Sequence, residues 1–495
     1  MRGGAVSVRA GLARRSVGAP ALWFLSVSAS APLTVLVGGV VTTYGATGVV
    51  GVALAFVVLT GALGLLTVGY VAMARHVGHA APFFALLAQG LGRPWGVAGA
   101  AVALVGYNAV EIALFGLIGD FLAGVFGGTW WAWALVVGVA IAALGVLRVD
   151  IGASVVAVLL VLEAGVIALF IVTAFANPAG GEISVAPLLP DRLLVDGMGG
   201  VFALSVAAFV GYECGPAYGE EARTDRSVGR ATFAALLFLG PFYAVAAWAL
   251  ALAAGPDQVV SRAQQDPALP LTVMADSFGV VGPLVAGLGG VLLVTSIFAA
   301  MLSFHGTAAR YLFALGRERV LGPWLARTGA GGGSRRDAPV GGSVVQSATA
   351  LVVGGLFAFA GAAPVSTMFT WLAALAAVAL FTVLVATSGA AVRWFRNGGG
   401  TNEGLWTRIV APVLGMVAGV LVVGATVYNL GTLLGTGPGS AWPLIVPGGV
   451  VVAAAAGLIW AGVLRSSRPD VYDGIGRGRP HPLAVPDRRL STVRL

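Results

Sequence analysis

The chain has 495 residues, 58% of them hydrophobic and only 10% charged. Soluble proteins carry roughly a quarter charged residues, so an array of soluble domains is excluded and an all-α polytopic membrane protein is indicated. The net charge of +8 comes from arginine alone; the arginines lie in short loops and tails, which points to a lipid bilayer rather than nucleic acid as partner. The single Cys214 excludes an internal disulfide and reads as a small buried residue.

In chain order, residues 1–19 form a basic tail with Arg2, Arg9, Arg14 and Arg15. A cleaved signal peptide is disfavoured, because the apolar stretch that follows continues past Pro32 to Val41. Apolar runs then predict twelve transmembrane helices at 21–44, 49–73, 96–123, 131–147, 153–176, 197–219, 232–254, 279–310, 341–361, 364–391, 408–432 and 442–464. An even number puts both termini on one side. With the N-terminus inside, only Arg192 and Arg262 of the 28 arginines fall in external loops, so both termini are placed in the cytoplasm, with the protein in the cell membrane.

Between the spans, residues 74–95 predict an amphipathic segment at the cytoplasmic face, with His76 and His79 in solvated loop. The 255–278 loop is polar and external, a candidate lid over the outer vestibule. Residues 315–340 read as a basic cytoplasmic loop with a flexible Gly-rich part, and 465–495 as a disordered cytoplasmic tail.

The sixth span holds the main anomaly. Met198 to Phe209 is apolar apart from one serine, but Gly211 and Pro216 then bracket Tyr212 and Glu213 at bilayer depth. Glycine resists helical order and proline lacks an N–H, so backbone groups are freed there. In hydrocarbon such groups are tolerated only where protein buries them or they line a cavity. The first span echoes this with Ser28-Ala29-Ser30-Ala31-Pro32, where Pro32 suits the first position of a new half-helix. Paired interruptions in two halves point to an inverted-repeat transporter with a mid-membrane site.

Three acids lie well inside spans: Glu111, Glu163 and Glu213. Intramembrane acids are costly and usually functional. Glu163 stands alone in VVAVLLVLEAGVIALFIV, which makes it a candidate proton carrier; the bland alternative is a protonated acid bonded to a backbone carbonyl. Glu111 shares a helix face with Asn108 and Tyr107, a face that either lines a cavity or holds helices together. Thr295, Ser296 and Ser303 on the eighth span offer hard oxygens for a rival sodium site, and Thr370 and Trp371 on the tenth are candidate pocket residues.

Together these residues resemble the amino acid–polyamine–organocation superfamily of permeases, over most of residues 20–400. Phe209-Val210-Gly211-Tyr212-Glu213 followed by Gly219-Glu220-Glu221-Ala222-Arg223 is similar to the family's sixth helix and its exit. Ser303-Phe304-His305-Gly306-Thr307-Ala308-Ala309-Arg310-Tyr311, with Ala314-Leu315-Gly316-Arg317-Glu318, resembles the eighth helix and following loop. Ala29-Ser30-Ala31-Pro32-Leu33-Thr34 resembles a bacterial variant of the first-helix break, in place of the more familiar Gly-Ser-Gly.

The resemblance implies a LeuT-like 5+5 inverted repeat (20–176 and 197–395) with two additional helices at 396–464. It implies alternating-access uptake or exchange of an amino acid or related amine, with protons likewise implied as the coupling ion. It further implies a ligand carboxylate at first-helix amides and a ligand amine at carbonyls of the first and sixth helices. On these residues the site is Ser28, Ala29, Ser30, Ala31, Phe209, Gly211, Tyr212 and Glu213. Phe209 and Tyr212 serve as gate or as packing, and the side-chain pocket falls on spans 3, 6, 8 and 10. Several members hold a coupling lysine where this chain has Glu163. No cofactor or metal ligand set is predicted, and no nucleophile–base pair or ATPase motif argues for an enzyme or a pump. A sensor would need a soluble domain that neither tail is long enough to fold.

Overall fold

A chain that must satisfy its backbone inside lipid forms helices or closed barrels, and apolar runs of this length form helices. The computed structural model describes residues 17–147, 153–220, 222–327, 339–400, 402–437 and 439–478. The expected basic tail with Arg2, Arg9, Arg14 and Arg15, the Gly-rich part of the 315–340 loop and the end of the C-terminal tail lie outside these residues. Twelve main helices follow in order: α1 (Ala19–Thr47), α2 (Val52–Ala74), α3 (Arg93–Phe126), α4 (Trp130–Leu147), α5 (Ala153–Ala176) and α6 (Met198–Tyr218). Then come α7 (Asp225–Ala254), α8 (Gly282–Arg317), α9 (Val340–Phe359), α10 (Pro364–Arg396), α11 (Trp406–Tyr428) and α12 (Trp442–Ser467). Among the described residues, eleven of these segments are long and apolar enough to cross a bilayer, and α4 is a shorter apolar helix over Trp130–Val146.

The two helices with breaks are the most enclosed. Of their most apolar stretches, 83% of α1 and 89% of α6 is buried, against 22% for both α9 and α12. The interruptions therefore lie at the centre of the bundle. Around them α7 packs on α2, α12 lies along α3, and α11 rests on α10 and α2.

Two loop expectations are corrected. Residues 74–95 do not lie amphipathically on a surface: Pro82–Gly90 forms a short helix buried almost throughout, wedged between α3 and α10. Its apolar residues cover the whole circumference, so burial wins over the interface. His79 is likewise buried rather than solvated, 2.8 Å from Glu318, and His76 faces Glu403 at 3.7 Å. The 255–278 segment is helical at Val259–Gln265 and Leu269–Ser277, and the first of these sits on the far end of α1, where Gln264 donates to the Gly45 carbonyl at 2.9 Å.

Candidate functional site

In α1 the helix runs to Ala29, Ala31 adopts a left-handed conformation with φ of 45°, and Pro32 opens the second half. Proline has no N–H to leave unpaired at that position. A π-helical turn, Val35–Val40, follows directly. In α6 the helix ends at Phe209, Gly211 takes φ of 117°, and Tyr212–Tyr218 continues as a 3-10 helix.

The two breaks touch. A β-carbon on Gly211 would lie 2.7 Å from the Ala29 carbonyl carbon and 2.8 Å from the Ser30 nitrogen, so only glycine fits. Ser30 Oγ lies 3.3 Å from the Phe209 carbonyl and 3.4 Å from that of Ser26, meeting the negative end of the first half of α6. The Tyr243 hydroxyl of α7 donates to the Ser30 carbonyl at 3.1 Å. Glu213 turns back on its own loop, its Oε2 accepting the Gly211 N–H at 2.8 Å, while Tyr70 donates to the Glu213 carbonyl at 3.0 Å. Tyr212 pairs with Thr67 at 3.0 Å. Glu213 and Tyr212 thus shape the second break.

A cavity opens beside the crossing. Ala29, Ser30, Ala31, Thr34, Val35 and Gly39 of α1 form one side, Leu204, Ala207, Ala208 and Val210 of α6 another. The rest is Val110, Ala113 and Leu114 of α3, Ala300 and Phe304 of α8, and Phe369 and Ala373 of α10. No charged side chain lines it. Beyond α1, its walls come from α3, α6, α8 and α10, and those residues are plain alanines, valines, leucines and phenylalanines that carry no signal in a single sequence.

Of the other predicted site residues, Ser28 is buried behind the break, with its carbonyl accepting the Ala31 N–H at 3.1 Å. Phe209 does not reach the cavity; its ring packs edge-on against Phe56 and Tyr243 at 5.8 and 5.7 Å. The Trp371 ring lies tilted against Trp442 at 5.6 Å, and Thr370 donates to its own helix at Val365. Asn108 donates to Leu104, and Thr295 to Leu292, both within their helices. Ser296 instead joins Glu163 and Thr34.

Glu111 goes to packing. It sits 3.1 Å from His305 Nδ1, accepts from Gln346 at 2.6 Å, and His305 in turn meets Ser343 at 2.7 Å, which joins α3, α8 and α9. Glu163 goes to the break. It accepts from Ser296 Oγ at 2.8 Å, with the Leu33 backbone amide, in the first turn after Pro32, within electrostatic reach. Thr34 Oγ1 of the cavity wall donates to Ser296 Oγ at 3.1 Å.

Towards the α6 exit the rings of Tyr70, Phe83, Tyr107 and Tyr311 are buried, Tyr70 stacked on Phe83 at 5.2 Å and Tyr107 beside Tyr311 at 5.6 Å. Beyond them, Arg317 at the end of α8 grips Glu220 bidentately at 2.9 and 2.7 Å, and Glu220 also accepts the Ala80 N–H at 3.1 Å. Burial works against the Glu220 charge, but the Arg317 guanidinium outweighs it and holds the carboxyl below its ordinary range. Next to this pair, Glu318 accepts from Gly476 and Gly478 of the chain's final described turn at 2.8 and 2.9 Å.

A protein-family model described as amino acid permease matches residues 20–454. The chain belongs to this amino acid permease family. It is therefore a multi-pass membrane transporter of a small-molecule substrate, not an enzyme. Among solved structures, MhsT in complex with L-phenylalanine is similar at 14% identity with a TM-score of 0.58, covering 84% of this chain and 100% of its own. The manganese transporter of Eremococcus coleocola, in complex with an aromatic bis-isothiourea substituted compound, is similar at 13% identity and a TM-score of 0.53, covering 89% of this chain and 94% of its own. At such identities the likeness shows a shared fold. No curated protein sequence matches the permease significantly.

Proposed function

We propose that this permease takes up amino acids with neutral, apolar side chains in symport with protons, across the cell membrane and with both termini cytoplasmic. It works by alternating access on a 5+5 inverted repeat (20–176 and 197–395), to which the helices of 396–464 add an outer layer. The observation that carries the substrate class is the cavity at the crossing of the two breaks, walled by apolar side chains and the hydroxyls of Ser30 and Thr34, with no charged group among them. Opposed half-helix ends at Pro32 and Phe209 suit the two charges of a zwitterion. A diamine, or a basic or acidic side chain, would bury an extra charge without a partner there, at a cost of several kcal/mol. The backbone at Ser28–Ala31 and Phe209–Gly211 holds the ligand's charged groups; Tyr212 and Glu213 keep the second break in shape. Glu163 is the proton site, one hydroxyl relay from the cavity wall.

The test is uptake into proteoliposomes of radiolabelled amino acids and amines, with and without an inward proton gradient and with and without sodium. Gradient-driven accumulation of leucine-, valine- or phenylalanine-like substrates is expected, with lysine, glutamate and putrescine excluded. Sodium dependence without proton dependence would refute the coupling, and uptake of putrescine alone would refute the substrate class. Uptake that needs internal substrate would make it an exchanger.

A further inference from the structure

Glu163, Ser296 and Thr34 form a chain that leads from a buried carboxylate on α5, through α8, to the cavity wall on α1. All three are buried, at 3%, 1% and 5% exposure, so water does not compete for their bonds. Each hydroxyl has one hydrogen and can rotate it, whereas an ionised carboxylate only accepts. While Glu163 is ionised, the Ser296 hydrogen is committed to it at 2.8 Å. Thr34 must then give its own hydrogen to Ser296 at 3.1 Å, and it presents only lone pairs to the cavity.

We infer that protonation of Glu163 reverses this chain and turns Thr34 into a hydrogen-bond donor for the carboxylate of a bound amino acid. The carboxyl O–H donates to Ser296 Oγ, the Ser296 hydrogen swings to Thr34 Oγ1, and the Thr34 hydrogen is released toward the cavity. One proton is added at Glu163 and the hydroxyl hydrogens of the relay only rotate, so no covalent bond breaks. Lone pairs facing a ligand carboxylate repel it and a hydroxyl hydrogen attracts it, so proton and substrate each favour the other's binding. Linkage makes that coupling reciprocal, which is what symport requires.

The surroundings leave Glu163 to act alone. Of the elements packed on α5, α7 brings the Tyr243 phenol within electrostatic reach, with its hydrogen held by the Ser30 carbonyl. From α8 the Ser296 hydroxyl meets Glu163, from α1 the Leu33 backbone amide lies within electrostatic reach, both neutral, and Asp276 on the helix Leu269–Ser277 is exposed.

This inference rests on the proposed function, and one set of titrations separates the two. Binding to the purified permease is measured from pH 5.5 to 8 for the twenty standard L-amino acids, and the tightest at pH 5.5 is carried through four variants. The parent should bind about tenfold more tightly at pH 5.5 than at pH 8, within the usual range for linked sites. Glu163→Gln, whose amide donates to Ser296 permanently, should bind tightly at every pH. Ser296→Ala and Thr34→Val should bind weakly at every pH, and Ser296→Thr, which keeps the hydroxyl, should restore the response. Thr34→Val is close to isosteric and decides the matter if Ser296→Ala does not fold. A normal pH response in Ser296→Ala or Thr34→Val, with Glu163→Gln flat, would overturn the relay and leave Glu163 as proton site. An unchanged response in Glu163→Gln would overturn both, as would a parent that binds no amino acid.

Discussion

At Gly211 two interrupted helices meet backbone to backbone, and the contact leaves no room for a single methyl group. A left-handed φ of 117° and a projected β-carbon 2.7 Å from the Ala29 carbonyl carbon act together. Gly211→Ala should therefore cut uptake at least tenfold while insertion and helix content persist, because the strain, about 1–3 kcal/mol, falls on the break alone. Uptake normalised to folded protein checks this; normal uptake would move the site elsewhere. Gly211 and Pro32 were legible in the sequence because their effect is covalent, a missing β-carbon and a missing N–H. Glu163 stood out because a lone acid in an apolar run has no cheap explanation. The cavity wall was not legible: Val110 and Phe304 line it, while their neighbours Glu111 and His305 face away into a network between helices. In each pair the polar member is the one a sequence makes visible, and the lining member is not.

Between elements, the exit of α6 is held by partners far apart in the chain, which is why its loops were misread. His79 and Glu318 lie 239 positions apart, so nothing local marks His79 as buried. Arg317 and Glu220 are similarly remote, although both fall in stretches that resemble family motifs. Their pairing makes a pH prediction. The carboxyl of Glu220 is held below its ordinary value of 4.5 in the folded protein, so unfolding raises its affinity for protons. The stabilisation is then complete above that value and is lost as pH falls through the lower, folded one. Glu220→Gln should lower stability by about 2 kcal/mol at pH 7, a usual figure for a hydrogen bond to a charged group. The gap from the parent should close as pH falls below 4.5. Thermal unfolding of both proteins in detergent across this range tests it; a gap that widens in acid would mean the pair is held by something other than the Glu220 charge.

For the whole molecule, the arrangement of chain ends bears on how many helices cross. Val17 accepts from Arg223 just past the exit of α6, and the Gly476–Gly478 turn sits on Glu318 just past α8. Both described ends are thus gathered on one face, with His79, Glu220 and Arg317. An odd number of crossings would separate them, which supports the proposal that α4, short as its apolar stretch is, also crosses. The proposed direction follows from the arginine asymmetry expected from the sequence, with Arg192 and Arg262 in the external loops. The expectation is concrete in a background where Cys214 is replaced by serine. Glu182→Cys and Gln264→Cys, both at exposed positions, should react with a membrane-impermeant maleimide in right-side-out vesicles. Ser466→Cys, exposed at the end of α12, should react only after the membrane is permeabilised. The reverse pattern would invert the molecule. Labelling of all three from outside would show that the path from α6 to α12 does not cross the bilayer an odd number of times, and the proposed topology would fall.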